Sequence, residues 1–331
     1  MQRVALQQTD VFGIMRADLE RVEARVEQAA TLEFPLASGL VLDIVRAGGK
    51  RLRPLMLLLA GRAYTADLDT LITAAAGVEL LHTASLVHDD SVDRAALRRG
   101  KPTLNSRLGT GAVILVGDFL FAQSAILAAE TGSPRVVKIF ATTLGDICDG
   151  QLREMFDAHR IGQSREEYET RIYGKTASLF AGSTEMGGVI GNAPERHIQE
   201  LRGYGSDVGM AFQIVDDVLD LTQTSTDIGK PAGNDLRQGT VTLPVMNYAN
   251  LIGETSDRAG TLRAVVEGEI TDDATIDDLV QDIRQSPAID GALDTARTFA
   301  ERAKQRIEIV PDSETRDLLA EVADLAFQRL S

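Results

Sequence analysis

The strongest constraint in this chain is a motif that occurs twice. Leu80–Arg99 reads LLHTASLVHDDSVDRAALRR, and Phe212–Asp220 reads FQIVDDVLD. Each carries Asp-Asp-x-x-Asp: Asp89, Asp90 and Asp93 in one, Asp216, Asp217 and Asp220 in the other. The apolar residues leading into each motif, Leu80–Val87 and Ala211–Val215, have helical character. Positions i, i+1 and i+4 of a helix crowd three carboxylates into one turn and onto one face. Like charges so placed repel and raise one another's pKa values unless a cation holds them. Mg²⁺, a hard ion with oxygen ligands, commonly bridges carboxylates to a substrate phosphate. A single copy is readily a solvated helix end; two copies behind apolar runs imply carboxylates aimed into the mouth of one buried cavity.

That demand sets the architecture. With 331 residues the chain can bury a large core. We find no strand pattern of any length, no repeat at solenoid spacing and no Pro/Gly/Ser linker between two halves. The expectation is all-α: a single domain over 1–331, a helical bundle around a deep central cavity. Amphipathic or apolar patterns predict helices over 10–30, 38–47, 54–63, 69–92, 111–129, 134–157 and 165–174, then 194–220 and a mostly helical remainder ending in a helix from about Glu314. Gly111–Ala129 is apolar enough to span a membrane, but Asp118 and Gln123 interrupt it, so it reads as a fully buried helix of a soluble protein. Residues 221–243 form the longest irregular stretch, the profile of a lid or binding loop.

Basic groups are concentrated in GGKRLRP (48–54), where Lys50, Arg51 and Arg53 follow two glycines and precede Pro54, a good first helical residue. Basic side chains on a Gly-rich turn at a helix start make an anion site. The formal charge of −15 argues against nucleic acid and against adhesion to an anionic membrane. One cysteine, Cys148, excludes an intrachain disulfide and fits a reducing cytoplasm; MQRVALQQTDVFG has no signal-peptide apolar core. Cys148 reads as a buried small residue, His159 and His197 as surface, and His88 as no metal ligand despite preceding Asp89. Asp118 is expected to pair with a basic group such as one of Lys50–Arg53. No GxxxxGKS/T or strand–GxGxxG–helix unit occurs. Carboxylate clusters beside basic anion sites, backed by an apolar cavity, indicate a substrate with a diphosphate head and a hydrocarbon tail.

The motifs GGKRLRP, HTASLVHDDSVDRAALRRGKPT, VGDFL, YGKTASLF, FQIVDDVLD and GKPAGNDLRQGTVTLP, in this order over residues 48–244, resemble those of the trans-isoprenyl diphosphate synthases. The resemblance implies the isoprenoid synthase fold, a homodimer, and head-to-tail condensation of an allylic diphosphate with isopentenyl diphosphate. It assigns Mg²⁺ to Asp89, Asp90, Asp93 and Asp216, supported by Asp217 and Asp220, with Arg98, Lys175 and Lys230 adding charge to the allylic diphosphate. Gly49, Lys50, Arg53, His82 and Arg99 match the isopentenyl diphosphate pocket. Thr176 and Gln213 match positions whose oxygens face the allylic cation. The implied reaction ionises the allylic C–O bond, adds the isopentenyl double bond and loses a proton to the departed diphosphate. Contact with a membrane is at most transient, for product release.

Many relatives carry Lys after the lid-loop glycine, whereas Gly239 is here followed by Thr240. Ala84 and Ser85 precede Asp89 by five and four residues, where short-chain relatives tend to carry aromatic rings. Both are small here, and the next obstruction is expected at Phe140, which shares a stripe of the 134–157 helix with Ile147, Gln151 and Glu154 and lies about 16 Å from Gln151 along it. The expected product is therefore long, hexaprenyl to decaprenyl (C30–C50), with geranylgeranyl or farnesyl diphosphate as the alternative. A terpene cyclase would show a different second metal motif, and a silent partner subunit would have lost the acidic motifs.

Overall fold

The structure, a computed structural model, describes residues 10–46, 49–92, 97–98, 101–106, 108–223 and 232–327, with the side chains of 36, 97, 98, 101 and 102 excepted. Asp93, Arg98 (as a side chain), Arg99 and Lys230, all assigned roles above, lie outside what is described, as does Gly48.

The chain is built from helices: α1 Val11–Ala29, α2 Pro35–Arg46, α3 Leu52–Arg62, α4 Leu68–Val92, α5 Thr110–Glu130, α6 Pro134–Asp157, α7 Arg165–Ile172, a π-helical turn Tyr173–Ala177, α8 Ser178–Ile190 and α9 Glu195–Thr222. Six more helices are described: α10 Asn234–Arg237, α11 Leu243–Ile252, α12 Asp257–Val266, α13 Asp273–Gln285, α14 Ala288–Arg306 and α15 Ser313–Phe327. The expected all-α class is therefore found. The sequence pattern missed a two-residue hairpin, β1 Leu97–Arg98 against β2 Lys101–Pro102, which is too short to carry a period.

Two hydrophobic cores share α9. Its first half, through Leu201, Tyr204 and Val208, packs into a core made by α1, α3, α4, α5, α6, α8 and α15. Its second half, through Ile214, Val215 and Val218, belongs to a core with α11–α14. The α8–α9 crossing is close because Gly205 admits it. A Cβ there would lie 2.4 Å from both the Phe180 carbonyl oxygen and Thr184 Oγ1. Asp207, buried, receives Arg302 Nε at 2.9 Å and Arg306 Nε at 2.8 Å, tying α9 to α14.

Five expectations fail for local reasons. α3 starts at Leu52, so Pro54 is its third residue, where a missing N–H is still harmless. Arg51 takes the left-handed conformation (φ 50°) as N-cap, held by Glu79, by Glu23 (3.3 Å) and by the Val45 carbonyl (3.0 Å). It is thus a structural clasp rather than part of an anion site. α5, expected to be fully buried, leaves Leu115 70% and Ile126 48% exposed, because among the described residues nothing covers its outer side. α4 and α5 are both long and apolar enough to cross a membrane, but most of α4 is enclosed by the fold. Asp118 sits 3.6 Å from His88 Nε2, not among the residues of 50–53. Cys148 is exposed, one residue and about 100° round the helix from buried Ile147. Of the histidines, His159 is exposed and His197 half-buried against Tyr64.

The Gly205 contact makes a stability prediction. Gly205→Ala pushes α8 and α9 apart and is expected to cost about 1–3 kcal/mol, as overpacking does. A denaturant midpoint equal to that of the unsubstituted chain would show that the two helices yield freely.

Candidate active site

A cavity of about 550 Å³ opens where the two cores meet. Asp89 at the end of α4 and Asp216 and Asp220 on α9 line it from opposite sides. The helical geometry refines the one-face expectation. Residues i and i+4 share a face, but i+1 lies about 100° away. Accordingly Asp90 and Asp217, the second aspartates of the two motifs, are buried, whereas Asp89 is half-buried and Asp216 exposed to the cavity. Asp90 does not line the described cavity; Asp217 lines it from a buried position.

The three aspartates of α9 have different surroundings. Asp217 accepts the Tyr168 hydroxyl at 2.7 Å and Gln213 Nε2 at 2.8 Å, one on each carboxylate oxygen. Asp220 accepts the backbone N–H groups of Asn234 (3.2 Å) and Asp235 (3.0 Å), pinning the start of α10. Asp216 points to the cavity. Among the described residues no three His, Cys, Asp or Glu side chains converge closely enough to hold a metal ion by themselves. An all-oxygen donor set split across a cavity fits Mg²⁺, which takes one or two carboxylates and completes its shell with substrate phosphate and water.

Cationic and polar groups occupy the remaining wall. Arg53 lies with its guanidinium 4.3 Å from the Phe180 ring centre and donates to His82 Nε2 at 3.2 Å, which leaves the imidazole proton on Nδ1. Lys50 and Gly49 are exposed and do not line the described cavity. Lys175 and Thr176 stand on the π-helical turn, a local widening that recurs at functional sites. The turn fits because α6 carries Gly150 there; a Cβ would lie 2.2 Å from the Lys175 backbone nitrogen. Lys175 pairs with Glu154, and the Thr176 hydroxyl donates to Gln213 Oε1 at 2.7 Å. Ser85 lines the cavity, one turn below Asp89 on the same face. Ala84, five residues back and so rotated by about 140°, is fully buried in the core. Phe140 is likewise buried and does not line the described cavity.

The structure adds residues that pattern reading passed over: Asp235, Glu154, Arg171 and, behind them, Tyr168. Asp235 stands within the quoted GKPAGNDLRQGTVTLP motif, and Glu154 on the α6 stripe, so both had a signal. Enclosure in the wall, then the Asp220 and Asp217 carboxylates, hold Asp235 well above the ordinary carboxylate range. Arg171, buried, donates to Gln163 (2.7 Å) and to the Val241 carbonyl (2.6 Å), fixing the segment that brings Thr240 to the cavity.

Burial raises the Asp217 carboxyl from 3.8 to about 7, against the pull of the hydrogen bonds from Gln213 and Tyr168. The folded chain then binds this proton more tightly than the unfolded one does. The group therefore favours the fold at low pH, and that contribution is lost as pH rises from about 4 towards 7. In metal-free protein we expect Asp217→Asn to be more stable than the unsubstituted chain at neutral pH, by at most about 4 kcal/mol, with the gap closing towards pH 4. Denaturant titrations across that range check it; a pH-independent gap would contradict the buried-carboxyl account.

Comparison with known proteins fits this geometry. The polyprenyl synthetase family model matches residues 35–283. The heptaprenyl diphosphate synthase component 2 of Geobacillus stearothermophilus is 37% identical over 313 residues, 95% of this chain and 96% of its own. The nonaprenyl diphosphate synthase of Mycobacterium tuberculosis is 34% identical over 316 residues, 95% of this chain and 93% of its own. A polyprenyl synthase from Caulobacter crescentus, solved with calcium and isoprenyl diphosphate, superposes with a TM-score of 0.91 at 34% identity, covering 97% of each chain. Two carboxylate-bearing helix faces across one cavity, with a basic wall between them, are thus set in a chain that belongs to the polyprenyl synthetase family of prenyltransferases.

Proposed function

We propose that the chain is a long-chain trans-polyprenyl diphosphate synthase, condensing isopentenyl diphosphate head to tail with an allylic diphosphate to a C30–C50 product. The observation that carries this is the pairing of Asp89 with Asp216 and Asp220 across a cavity that also presents Arg53, His82 and Lys175. Relatives named heptaprenyl and nonaprenyl diphosphate synthase support the length, as does Ser85, whose small side chain leaves the face below Asp89 open.

Mg²⁺ at Asp89 and Asp216, bound together with the diphosphate, would supply positive charge to the leaving group. The chain's own groups do the rest. Arg53 and His82 offer donors at one end of the cavity for the second diphosphate. Lys175 adds charge from the π-helical turn, and Thr176 and Gln213 present oxygens. The enclosing walls keep water from the cation, so no side chain acts as a nucleophile. The same reading takes residues 1–331 as one working domain. The single cysteine, exposed, accords with a reducing cytoplasm.

Incubating the purified chain with farnesyl diphosphate, isopentenyl diphosphate and Mg²⁺, then measuring product length by mass spectrometry, tests the reading. Products of C30–C50 are expected. Asp216→Ala should lower turnover at saturating Mg²⁺ by at least about a hundredfold, the scale of a lost electrostatic stabiliser. Ser85→Phe should shorten the product. Unimpaired turnover in Asp216→Ala would sink the active-site assignment.

The outer face of α5 and α6 supports self-association. Ile114, Leu115 and Ile126 on α5 and Leu152, Met155 and Phe156 on α6 are exposed, Phe156 by 82%. Apolar groups clustered this way on a surface mark an interaction site. We read it as the homodimer face. Light scattering should give twice the chain mass, falling to one in Leu115→Asp. The similarity to a protein named as component 2 favours one second reading, a different chain on the same face. A wild-type monomer would overturn the homodimer and leave that alternative.

A further inference from the structure

A string of hydrogen bonds runs from the second core to the cavity. The Tyr168 hydroxyl donates to Asp217 Oδ2 (2.7 Å), Gln213 Nε2 donates to Asp217 Oδ1 (2.8 Å), and the Thr176 hydroxyl donates to Gln213 Oε1 (2.7 Å). Tyr168 is fully buried, Asp217 and Thr176 nearly so, and Gln213 and Thr176 both line the cavity.

With Asp217 as the carboxylate, the donors and acceptors admit one arrangement. A carboxylate has no proton to give, so the Tyr168 phenol, protonated at neutral pH, donates to Asp217. Asp217 then has one oxygen left, and it accepts from Gln213. The Gln213 amide nitrogen is thereby turned away from the cavity and its Oε1 towards Thr176. A flipped amide would set Oε1 against a carboxylate oxygen, an unpaired and repulsive contact in a dry setting. Because Thr176 gives its proton to Oε1, the lone pairs of its own Oγ1 are what it can offer to the cavity.

We propose that Tyr168 is a positioning residue. Acting through Asp217, it locks the Gln213 carboxamide so that the Gln213–Thr176 pair faces the reacting allylic carbon with oxygen atoms and no N–H group. This rests on the synthase reading above and gives Asp217 a task distinct from metal ligation. Oxygen lone pairs beside a developing carbocation stabilise it, whereas an N–H dipole in the same place opposes it. The effect appears only as charge forms, so it belongs to kcat and not to ground-state binding.

The test compares the unsubstituted chain with Tyr168→Phe, Asp217→Leu and Asp217→Asn. Phe removes the donor, and Leu removes both acceptors. Asn keeps an oxygen for Gln213 and offers its NH₂ to the Tyr168 oxygen, preserving the lock. We expect kcat to fall at least about tenfold in Tyr168→Phe and in Asp217→Leu, with substantial rescue in Asp217→Asn. KM for both diphosphates should stay within about twofold in Tyr168→Phe. Calorimetric binding of inorganic pyrophosphate with Mg²⁺ should be unchanged in Tyr168→Phe and Asp217→Asn. Unaltered kcat in Tyr168→Phe overturns the proposal. So does a loss of Mg²⁺–pyrophosphate affinity in Asp217→Asn, which would make Asp217 a metal ligand after all. Should Tyr168→Phe not fold, the Asn-against-Leu contrast at 217 decides. An unsubstituted chain that condenses nothing defeats the synthase reading itself and this inference with it. A condensing chain matched by Tyr168→Phe defeats only the inference.

Discussion

Carboxylates that face one another across a cavity repel, and much of the structure serves to hold them there. Each group sits at a fixed point on a helix, and the packing of α4 and α9 fixes the span between Asp89 and Asp216. α4 is enclosed on nearly every side, and α9 is shared by both cores, so neither can retreat from the other without opening apolar surface to water. The strain is electrostatic, and it is met by a rigid scaffold with nearby cations. Lys175 stands against Glu154, and Arg171 lies behind Asp217.

The division of labour on α9 follows from helix geometry: Asp216 and Asp220 share a face, and Asp217 is turned into the protein, as Asp90 is beside Asp89 on α4. On α9 the buried second aspartate has become the centre of a hydrogen-bonded string, and the third also caps α10. A repeated triplet thus yields unlike roles, since each carboxylate meets different neighbours. The π-helical turn works in the same way on the opposite wall. It can exist only because Gly150 and Gly174 let α6 approach its backbone.

Close approach also explains the outer surface. α5 is apolar around its whole circumference, yet among the described residues one side of it stays uncovered, with Leu115 and Ile126 exposed. Helical periodicity reports how apolar a face is, not what will cover it. That is why the pattern predicted a fully buried helix, although Ile114, Leu115 and Ile126 are exposed.

Much was legible in the chain itself. Local propensity and apolar spacing determined the helical class and most helix positions, with ends displaced by a few residues at α2 and α3. The acidic motifs could be named because their chemistry is local; Arg53, His82, Lys175, Thr176 and Gln213 were named through the resemblance of their ordered motifs to a known family, and all five line the cavity. What only the tertiary structure decided depends on contacts between distant segments. Arg51 was diverted to a clasp by Glu23 and Glu79; Asp118 met His88; Ala84 turned into the core while Ser85 faced the cavity. Tyr168, in a polar helix with no motif of its own, was brought beneath Asp217 from 49 residues away. A side chain's role there is set by the donor or charge that packing places opposite it, and no spacing along the chain encodes that partner.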